Sequence, residues 1–159
     1  MMLLESQQPP SQLWLAAAPP QGFGEDADGS EYSGIEPTSL RVLIVEDEFF
    51  IALHTEGLLQ AMGHSVVGIA VSADDAVRMA EQHRPDVVLM DIRLVGARDG
   101  VHAATEINTR VGTPVLFVTA HTDLATRQRA AATQSLGFLE KPLTEQRLRA
   151  GLTGVARKP

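Results

Sequence analysis

The sequence predicts an α/β domain in which helices cover both faces of a five-stranded parallel sheet. Five short apolar segments alternate along the chain with five segments that read as helices. The loops between them are short, and this alternation is typical of a parallel sheet built from right-handed crossovers. We therefore expect a doubly wound architecture, in which ligands bind beyond the carboxyl ends of the strands.

The pattern begins with LRVLIVE at 40–46, a β-branched apolar run that ends in an acid. Residues 48–62 then repeat apolar side chains at helical spacing, and this predicts the first helix. Gly63 follows as a residue suited to the C′ position of that helix. SVVGIA at 65–70 is the second predicted strand.

The remaining elements follow in the same alternation. The second helix is predicted at 72–83, because Ser72 can serve as its N-cap and Pro85 ends it. After it we expect strands at 86–91, 113–120 and 136–140, and helices at 100–111, at about 122–134, and from a Thr144 cap to about Val155.

Residues 1–38 differ in composition from the rest of the chain. They are rich in Pro, Gly, Ser, Gln and acid, and they contain no Lys or Arg. We therefore expect a disordered acidic N-terminal extension ahead of one domain at 39–157. Within the extension, SQLWLAAA carries the single tryptophan, Trp14. This segment is either part of a flexible leader or a short helix that docks on a partner. A start site placed too far upstream is a third interpretation.

The composition excludes several classes of function. The chain of 159 residues has a formal charge of −7 and no cluster of basic residues, which argues against direct binding of nucleic acid. It has no cysteine, so disulfides and thiolate metal sites are excluded. No apolar run reaches the roughly 20 residues that a membrane span requires. We expect a cytoplasmic protein without a membrane span.

Acidic residues stand at the carboxyl ends of two predicted strands. Glu46, Asp47 and Glu48 follow the first strand, and the third strand ends at Asp91. Carboxylates that converge on one pocket repel each other, and a hard divalent cation removes that conflict. Mg²⁺ is the natural candidate, because it takes oxygen ligands and keeps several of its waters.

The other two strand ends add the groups that phosphoryl transfer needs. Thr119 ends the fourth strand and offers a hydroxyl donor, and Lys141 follows the fifth strand with a positive charge. Transfer of a phosphoryl group depends mainly on positioning and on neutralising charge over its oxygens. Asp91 is then the expected nucleophile, accepting phosphate as an acyl phosphate.

Four motifs together resemble a known family. IVEDE, VVLMDIRLVGARDG, VLFVTA and LGFLEKPL, in this order and spacing, resemble the receiver domain of response regulators over about residues 40–157. The resemblance implies a flavodoxin-like (CheY-like) fold with strand order 2-1-3-4-5. It also implies that a histidine kinase or a phosphotransfer protein donates a phosphoryl group to Asp91.

The resemblance also implies a role for each residue of the metal site. Asp47 would bind Mg²⁺ directly, and Glu46 would act mostly through water. Asp91 would be a further ligand, and the backbone carbonyl of Arg93 would supply another contact.

A second set of implied roles concerns the phosphoryl group and the conformational switch. Thr119 would bond a phosphoryl oxygen, and Lys141 would pair with it. The Lys141–Pro142 peptide resembles the cis bond of the family. Phe138, three residues before Lys141, matches the aromatic residue that turns inward when the hydroxyl residue moves.

The chain departs from the family in two places. The loop LVGARDG has Gly96 where the family has proline, and it reaches its Asp-Gly pair about one residue later, so we expect a longer loop. The switch residue is Phe138 rather than tyrosine, and it therefore has no hydroxyl to offer a partner.

We interpret the chain as a single-domain response regulator of a two-component system or phosphorelay. Phosphorylation of Asp91 would reshape the surface of the fourth helix, fifth strand and fifth helix, and a target protein would bind there. We do not expect an enzyme beyond acceptance of the phosphoryl group and weak self-dephosphorylation. The alternative is a receiver-fold adaptor that binds its partners independently of phosphorylation.

Overall fold

The computed structural model describes residues 39–120 and 123–156. Residues 1–38, for which a disordered extension is predicted, lie outside the described residues. Five strands and five helices alternate in the order β1 Arg41–Val45, α1 Phe49–Ala61, β2 Ser65–Ala70, α2 Ala73–His83, β3 Val87–Asp91, α3 Gly100–Val111, β4 Val115–Thr119, α4 Leu124–Ala131, β5 Gly137–Glu140 and α5 Glu145–Leu152.

The strands form one parallel sheet in the order β2-β1-β3-β4-β5, which confirms the doubly wound architecture. The three central strands are apolar almost throughout and buried, because helices cover them on both sides. On one face, Leu43, Met90 and Phe117 pack against α2, α3 and Ala130 of α4. On the other face, Ile44 and its neighbours pack against α1 and α5.

Helices α2 to α5 begin at side-chain caps, whereas Glu48 makes no side-chain cap for α1, and several helices end at residues in the left-handed conformation. Ser72 caps α2, accepting a hydrogen bond from the main-chain N–H of Asp75 at 3.2 Å, and Thr144 caps α5 in the same way. Gly63 follows α1 with φ of +84°, as expected for a C′ residue. Within the described ranges, no helix combines the length and the apolarity that crossing a membrane requires.

Two helices are shorter than the sequence pattern suggests. Helix α4 begins at Leu124 because the carboxylate of Asp123 accepts the N–H of Thr126 at 2.8 Å, and it ends at Ala131. The predicted first residue, 122, lies outside the described residues. Helix α5 ends at Leu152, because the next residue, Thr153, is extended.

Ion pairs join α2 to α3 on one side of the sheet. Arg98, in the loop before α3, binds Asp74 of α2 at 2.7 Å and also pairs with Glu106 of α3. Arg110 of α3 pairs with Glu106 and reaches Glu81 of α2 at 3.2 Å. The two contacts of Arg98 tie the loop after β3 to both neighbouring helices, and the contact between Arg110 and Glu81 joins α3 directly to α2.

Candidate functional site

The carboxyl ends of the central strands bring the predicted site residues to one edge of the sheet. Asp91 is the last residue of β3, and Glu46 directly follows β1. Thr119 is the last residue of β4. All three are buried, with exposed fractions of 6%, 4% and 3% for Asp91, Glu46 and Thr119. Buried polar groups require partners, and for Asp91 and Glu46 these are the ammonium of Lys141 and nearby main-chain N–H groups.

Lys141, in the loop after β5, connects two of these carboxylates. Its Nζ lies 2.6 Å from Oε2 of Glu46 and 2.9 Å from Oδ2 of Asp91. Its main-chain N–H donates to the carbonyl of Thr119 at 2.9 Å, which fixes the start of the loop against β4. The peptide between Lys141 and Pro142 is cis, as the resemblance implies. One residue therefore contacts the ends of β1, β3 and β4.

For both Lys141 and Glu46, burial and hydrogen bonding shift the pKa in opposite directions. Burial by itself favours the neutral form of Lys141, but its hydrogen bonds to Glu46 and Asp91 outweigh that effect and raise its pKa. Burial raises the pKa of Glu46, and the nearby charge of Asp91 raises it further, although the hydrogen bond from Lys141 partly opposes the shift. The charged form of Lys141 is thus favoured, whereas ionisation of Glu46 is less favourable than that of an exposed glutamate.

Each carboxylate of the site accepts one main-chain N–H. Oδ1 of Asp91 accepts the N–H of Arg93 at 2.9 Å, and Oε1 of Glu46 accepts that of Glu48 at 3.2 Å. Oδ2 of Asp47 accepts the N–H of Val95 at 3.1 Å. The first two bonds are local turns, whereas the third joins residues 48 positions apart.

The donor set fits a hard divalent cation. Glu46, Asp47 and Asp91 each offer one oxygen, and these oxygens lie within 4.8 Å of one another. Lys141 compensates only one of the three negative charges, so an excess of negative charge remains at the site. Carboxylate oxygens in a partly open cluster suit Mg²⁺, which binds through a few protein oxygens and keeps several waters.

Comparison with known proteins identifies the family. The family model described as the response regulator receiver domain matches residues 42–153, which is more than half of the chain. The chain belongs to the response regulator receiver domain family. The predicted recognition is therefore confirmed, and so is its flavodoxin-like strand order. The receiver domain is a signalling domain of two-component systems.

Similar proteins show how receiver domains are used elsewhere. The transcriptional regulatory protein PdtaR of Mycobacterium tuberculosis is 36% identical over 104 residues, covering 65% of this chain and 50% of PdtaR. The signal receiver domain of a modulated diguanylate cyclase from Desulfovibrio desulfuricans G20 has a TM-score of 0.70 at 35% identity, covering 74% of this chain and 93% of that one. A variant of the anti-anti-sigma factor PhyR from Bartonella quintana has a TM-score of 0.61 at 31% identity, covering 72% of this chain and 47% of that one.

The chain spans about half the length of PdtaR. The expectation of a regulator with a single domain therefore stays a prediction, as do the boundaries of the domain at 39–157. Residue 157 itself lies outside the described residues.

The predicted switch residue of the receiver domain packs against the core. The ring of Phe138 stacks on that of Phe117, with centroids 5.6 Å apart and planes 24° apart. The guanidinium of Arg127, on α4, lies 5.9 Å from the centre of the Phe138 ring. Phe138 is half-buried in this arrangement, and its switching role stays a prediction.

The loop after β3 holds contacts that sequence reasoning missed. The bond from Val95 to Asp47 uses a main-chain N–H, and no side-chain pattern signals such a bond. The predicted contribution of the Arg93 carbonyl stays a prediction, whereas the Arg93 N–H binds Asp91. Asp99 caps α3 and accepts a hydrogen bond from Arg129 of α4 at 2.8 Å. The sequence carries no signal for this second role of Asp99.

Proposed function

We propose that this receiver domain accepts a phosphoryl group on Asp91 from the phosphohistidine of a kinase or phosphotransfer protein. The observation that carries the proposal is the convergence of Asp91, Lys141 and the acidic pair Glu46 and Asp47 at one strand edge. An aspartate buried among apolar strands needs a reason to be there, because burial of a charge is costly unless it is paired. Acceptance of phosphate provides that reason.

The transfer step follows from the chemistry of the groups. A carboxylate oxygen of Asp91 attacks phosphorus, the phosphorus–oxygen bond forms, and the bond from phosphorus to the histidine nitrogen breaks. The histidine nitrogen leaves with the electron pair and takes up a proton. Lys141, already 2.9 Å from Asp91, would pair with an oxygen of the incoming group, and the hydroxyl of Thr119 would donate to another.

We propose that Glu46, Asp47, Asp91 and the carbonyl of Arg93 hold Mg²⁺. The excess of negative charge and the oxygen-only donor set support this assignment. When bound, the cation neutralises charge on the phosphoryl oxygens. The chain's own residues keep the acceptor in place: the N–H of Arg93 and the ammonium of Lys141 each bind one oxygen of Asp91.

We propose that the output is a change in protein binding. Once Lys141 and Thr119 engage the phosphoryl group, Phe138 would change its packing, and α4, β5 and α5 would present a different surface to a target protein. PhyR, described as an anti-anti-sigma factor, shows that a related protein acts on another protein. This proposal includes neither a direct contact with nucleic acid nor catalysis on another substrate. We also propose that the domain lies in the cytoplasm.

The proposal is tested with a small phosphodonor. The full chain is incubated with acetyl phosphate and MgCl₂, and its mass is measured with and without chelator. We expect a gain of one phosphoryl group that requires Mg²⁺ and is absent in Asp91→Asn. Asp123→Asn is the matched control, because Asp123 is an exposed helix cap that asparagine can replace.

Labelling that persists in Asp91→Asn would place the acceptor elsewhere. A wild-type chain that gains no mass would favour the alternative function, a receiver-fold adaptor that acts without phosphorylation. A binding experiment with the kinase or target then separates the two functions, because only the switch requires Asp91.

A further inference from the structure

We propose that the main-chain amide of Val95 positions the carboxylate of Asp47 for the divalent cation, which makes the loop after β3 part of the cation site. The inference rests on the proposed function, because it assumes that a cation binds at Glu46, Asp47 and Asp91. It goes beyond that function by assigning a role to LVGARDG, the segment in which the chain departs from its family.

Within the described part of the chain, the hydrogen bonds leave one carboxylate oxygen of the cluster without a partner. Both oxygens of Asp91 are bonded, one to the N–H of Arg93 and one to Lys141. Both oxygens of Glu46 are bonded as well, to the N–H of Glu48 and to Lys141. Asp47 is held only at Oδ2, by Val95, and its Oδ1 accepts no hydrogen bond from the residues that the structure describes.

This asymmetry gives the Val95 amide a specific function. A carboxylate rotates freely unless one of its oxygens is fixed, and a cation binds more tightly to a ligand that is already oriented. With Oδ2 fixed by Val95, Oδ1 is the oxygen that remains available to a cation. Asp47 is also the most exposed of the three acids, so burial contributes least to its orientation.

Val95 contacts the site through its main-chain amide and not through its side chain. The side chain of Val95 is 78% exposed, so apolar packing does not explain the position of the residue. On one side Leu94 is buried, and on the other Arg98 is anchored by Asp74 and Glu106. Gly96 has φ of +130°, a conformation that other residues rarely adopt, and it lets the chain turn between these anchors.

The Val95 hydrogen bond and the bound cation must stabilise each other. If the Val95 amide raises the affinity for the cation, the cation must stabilise the Val95 hydrogen bond by the same factor. Mg²⁺ should therefore slow the exchange of the Val95 amide proton with solvent, and an exposed loop offers a sensitive place to observe this. This readout does not depend on phosphorylation.

The experiment compares two substitutions at one position in the full chain. Val95→Pro removes the N–H, whereas Val95→Ala keeps it, and calorimetric titration with MgCl₂ measures the affinity of each variant. We expect Val95→Pro to weaken Mg²⁺ binding by roughly tenfold, the lower range for loss of an outer hydrogen bond to a metal ligand. We expect Val95→Ala to retain the Mg²⁺ affinity of the wild type.

The amide exchange of Val95 in the wild type decides the question if proline disturbs the loop more widely. Slower exchange on addition of MgCl₂ supports the proposal, and unchanged exchange overturns it. Equal Mg²⁺ affinity in the proline variant and the wild type also overturns it. If the wild type binds Mg²⁺ and becomes phosphorylated on Asp91 while these tests fail, only this inference is lost. If the wild type binds no Mg²⁺, the cation site of the proposed function is lost with it.

Discussion

Gly100 lies directly against the main chain of Asp91. A Cβ atom on residue 100 would stand 2.0 Å from the carbonyl oxygen of Asp91 and 3.0 Å from Cα of Ile92. The N–H of Gly100 also donates to the carbonyl of Ile92 at 2.9 Å. The first residue of α3 therefore fixes the segment that carries the acceptor, and no larger residue fits without moving it.

Gly100→Ala should consequently destabilise the domain and disturb the acceptor. We expect the free energy of unfolding to fall by about 2 kcal/mol, as in overpacked sites, and labelling of Asp91 by acetyl phosphate to slow. Gly57→Ala is the matched control, because Gly57 is an exposed helical glycine with no atom within 4 Å of its Cβ position. It should gain roughly 0.5–1 kcal/mol. Urea unfolding measures the stability of both variants. Equal effects of the two substitutions would contradict a close contact between residue 100 and the main chain of Asp91.

Removal of Lys141 should expose the repulsion between the carboxylates it joins. Lys141→Met leaves Glu46 and Asp91 without their shared partner, and we expect a loss of about 3 kcal/mol in the absence of Mg²⁺. MgCl₂ should then raise the melting temperature of the variant more than that of the wild type, because the cation takes over the compensation of charge.

Arg149→Met provides the comparison for Lys141. It removes an exposed pair with Glu145 within α5 and should change stability by only about 0.5 kcal/mol, with no added response to Mg²⁺. A Lys141 variant that behaved like this control would show that the ammonium contributes little to the site.

Asp99 performs two functions that can be separated. Its carboxylate caps α3 through the N–H of His102 at 3.1 Å and also binds Arg129 of α4 at 2.8 Å. Burial opposes ionisation, but the hydrogen bonds from Arg129 and His102 prevail and hold the pKa of Asp99 below its usual value. Asp99→Asn keeps the cap and loses the charge, and we expect a loss of about 0.5 kcal/mol.

Asp99→Ala loses both functions, so it should cost about 1 kcal/mol more than Asp99→Asn. Unfolding in urea measures the difference. If the two variants were equally stable, the cap would make no contribution, and if Asp99→Asn matched the wild type, the ion pair to α4 would make none.

Stability should fall on acidification through His64. Its Nδ1 accepts the N–H of Leu40 at 3.3 Å, which requires the neutral ring at that nitrogen. Burial lowers the pKa of His64 below its ordinary value of 6.5, and the charge of Arg149 lowers it further. The unfolded chain therefore binds a proton before the folded one does, and this contribution to stability is complete above pH 6.5 and declines as the pH falls toward the folded pKa.

The comparison protein is His64→Asn, which offers an acceptor but does not titrate. Because all other titrating groups are shared, the difference in the free energy of unfolding between the two proteins isolates His64. We expect the wild type to lose stability relative to the variant between pH 7.5 and pH 5. Parallel curves would contradict the assignment.

The elements that could be predicted are those whose signal is local. The apolar runs that form β1, β3 and β4 end in polar residues. The sequence alone therefore predicts that Glu46, Asp91 and Thr119 lie together at the carboxyl ends of the strands. The ends of α4 could not, because its small and polar residues give weak periodicity and its N-terminus depends on the cap at Asp123. The bond from Val95 to Asp47 leaves no trace in side-chain chemistry.

The pairing of Arg129 with Asp99 was equally invisible, since it joins residues 30 positions apart and depends on how α4 lies against α3. By contrast, Lys141 could be placed at the site because it follows directly from the end of β5. Prediction succeeded where a strand or a local cap such as Ser72 or Thr144 sets the position of a residue, and it failed for contacts between segments that are distant in the sequence.

The ion pairs between α2 and α3 give the two sides of the sheet different sensitivities to salt. Arg98 and Arg110 join the helices on that side, whereas the described residues of α1 and α5 meet through apolar packing, with their ion pair lying within α5. Exposed pairs are screened by added electrolyte, while burial of apolar surface is maintained or strengthened. Higher ionic strength should therefore weaken the contacts between α2 and α3 selectively. Amide exchange followed from low to high salt should become faster in α2 and α3 and stay nearly unchanged in α1 and α5.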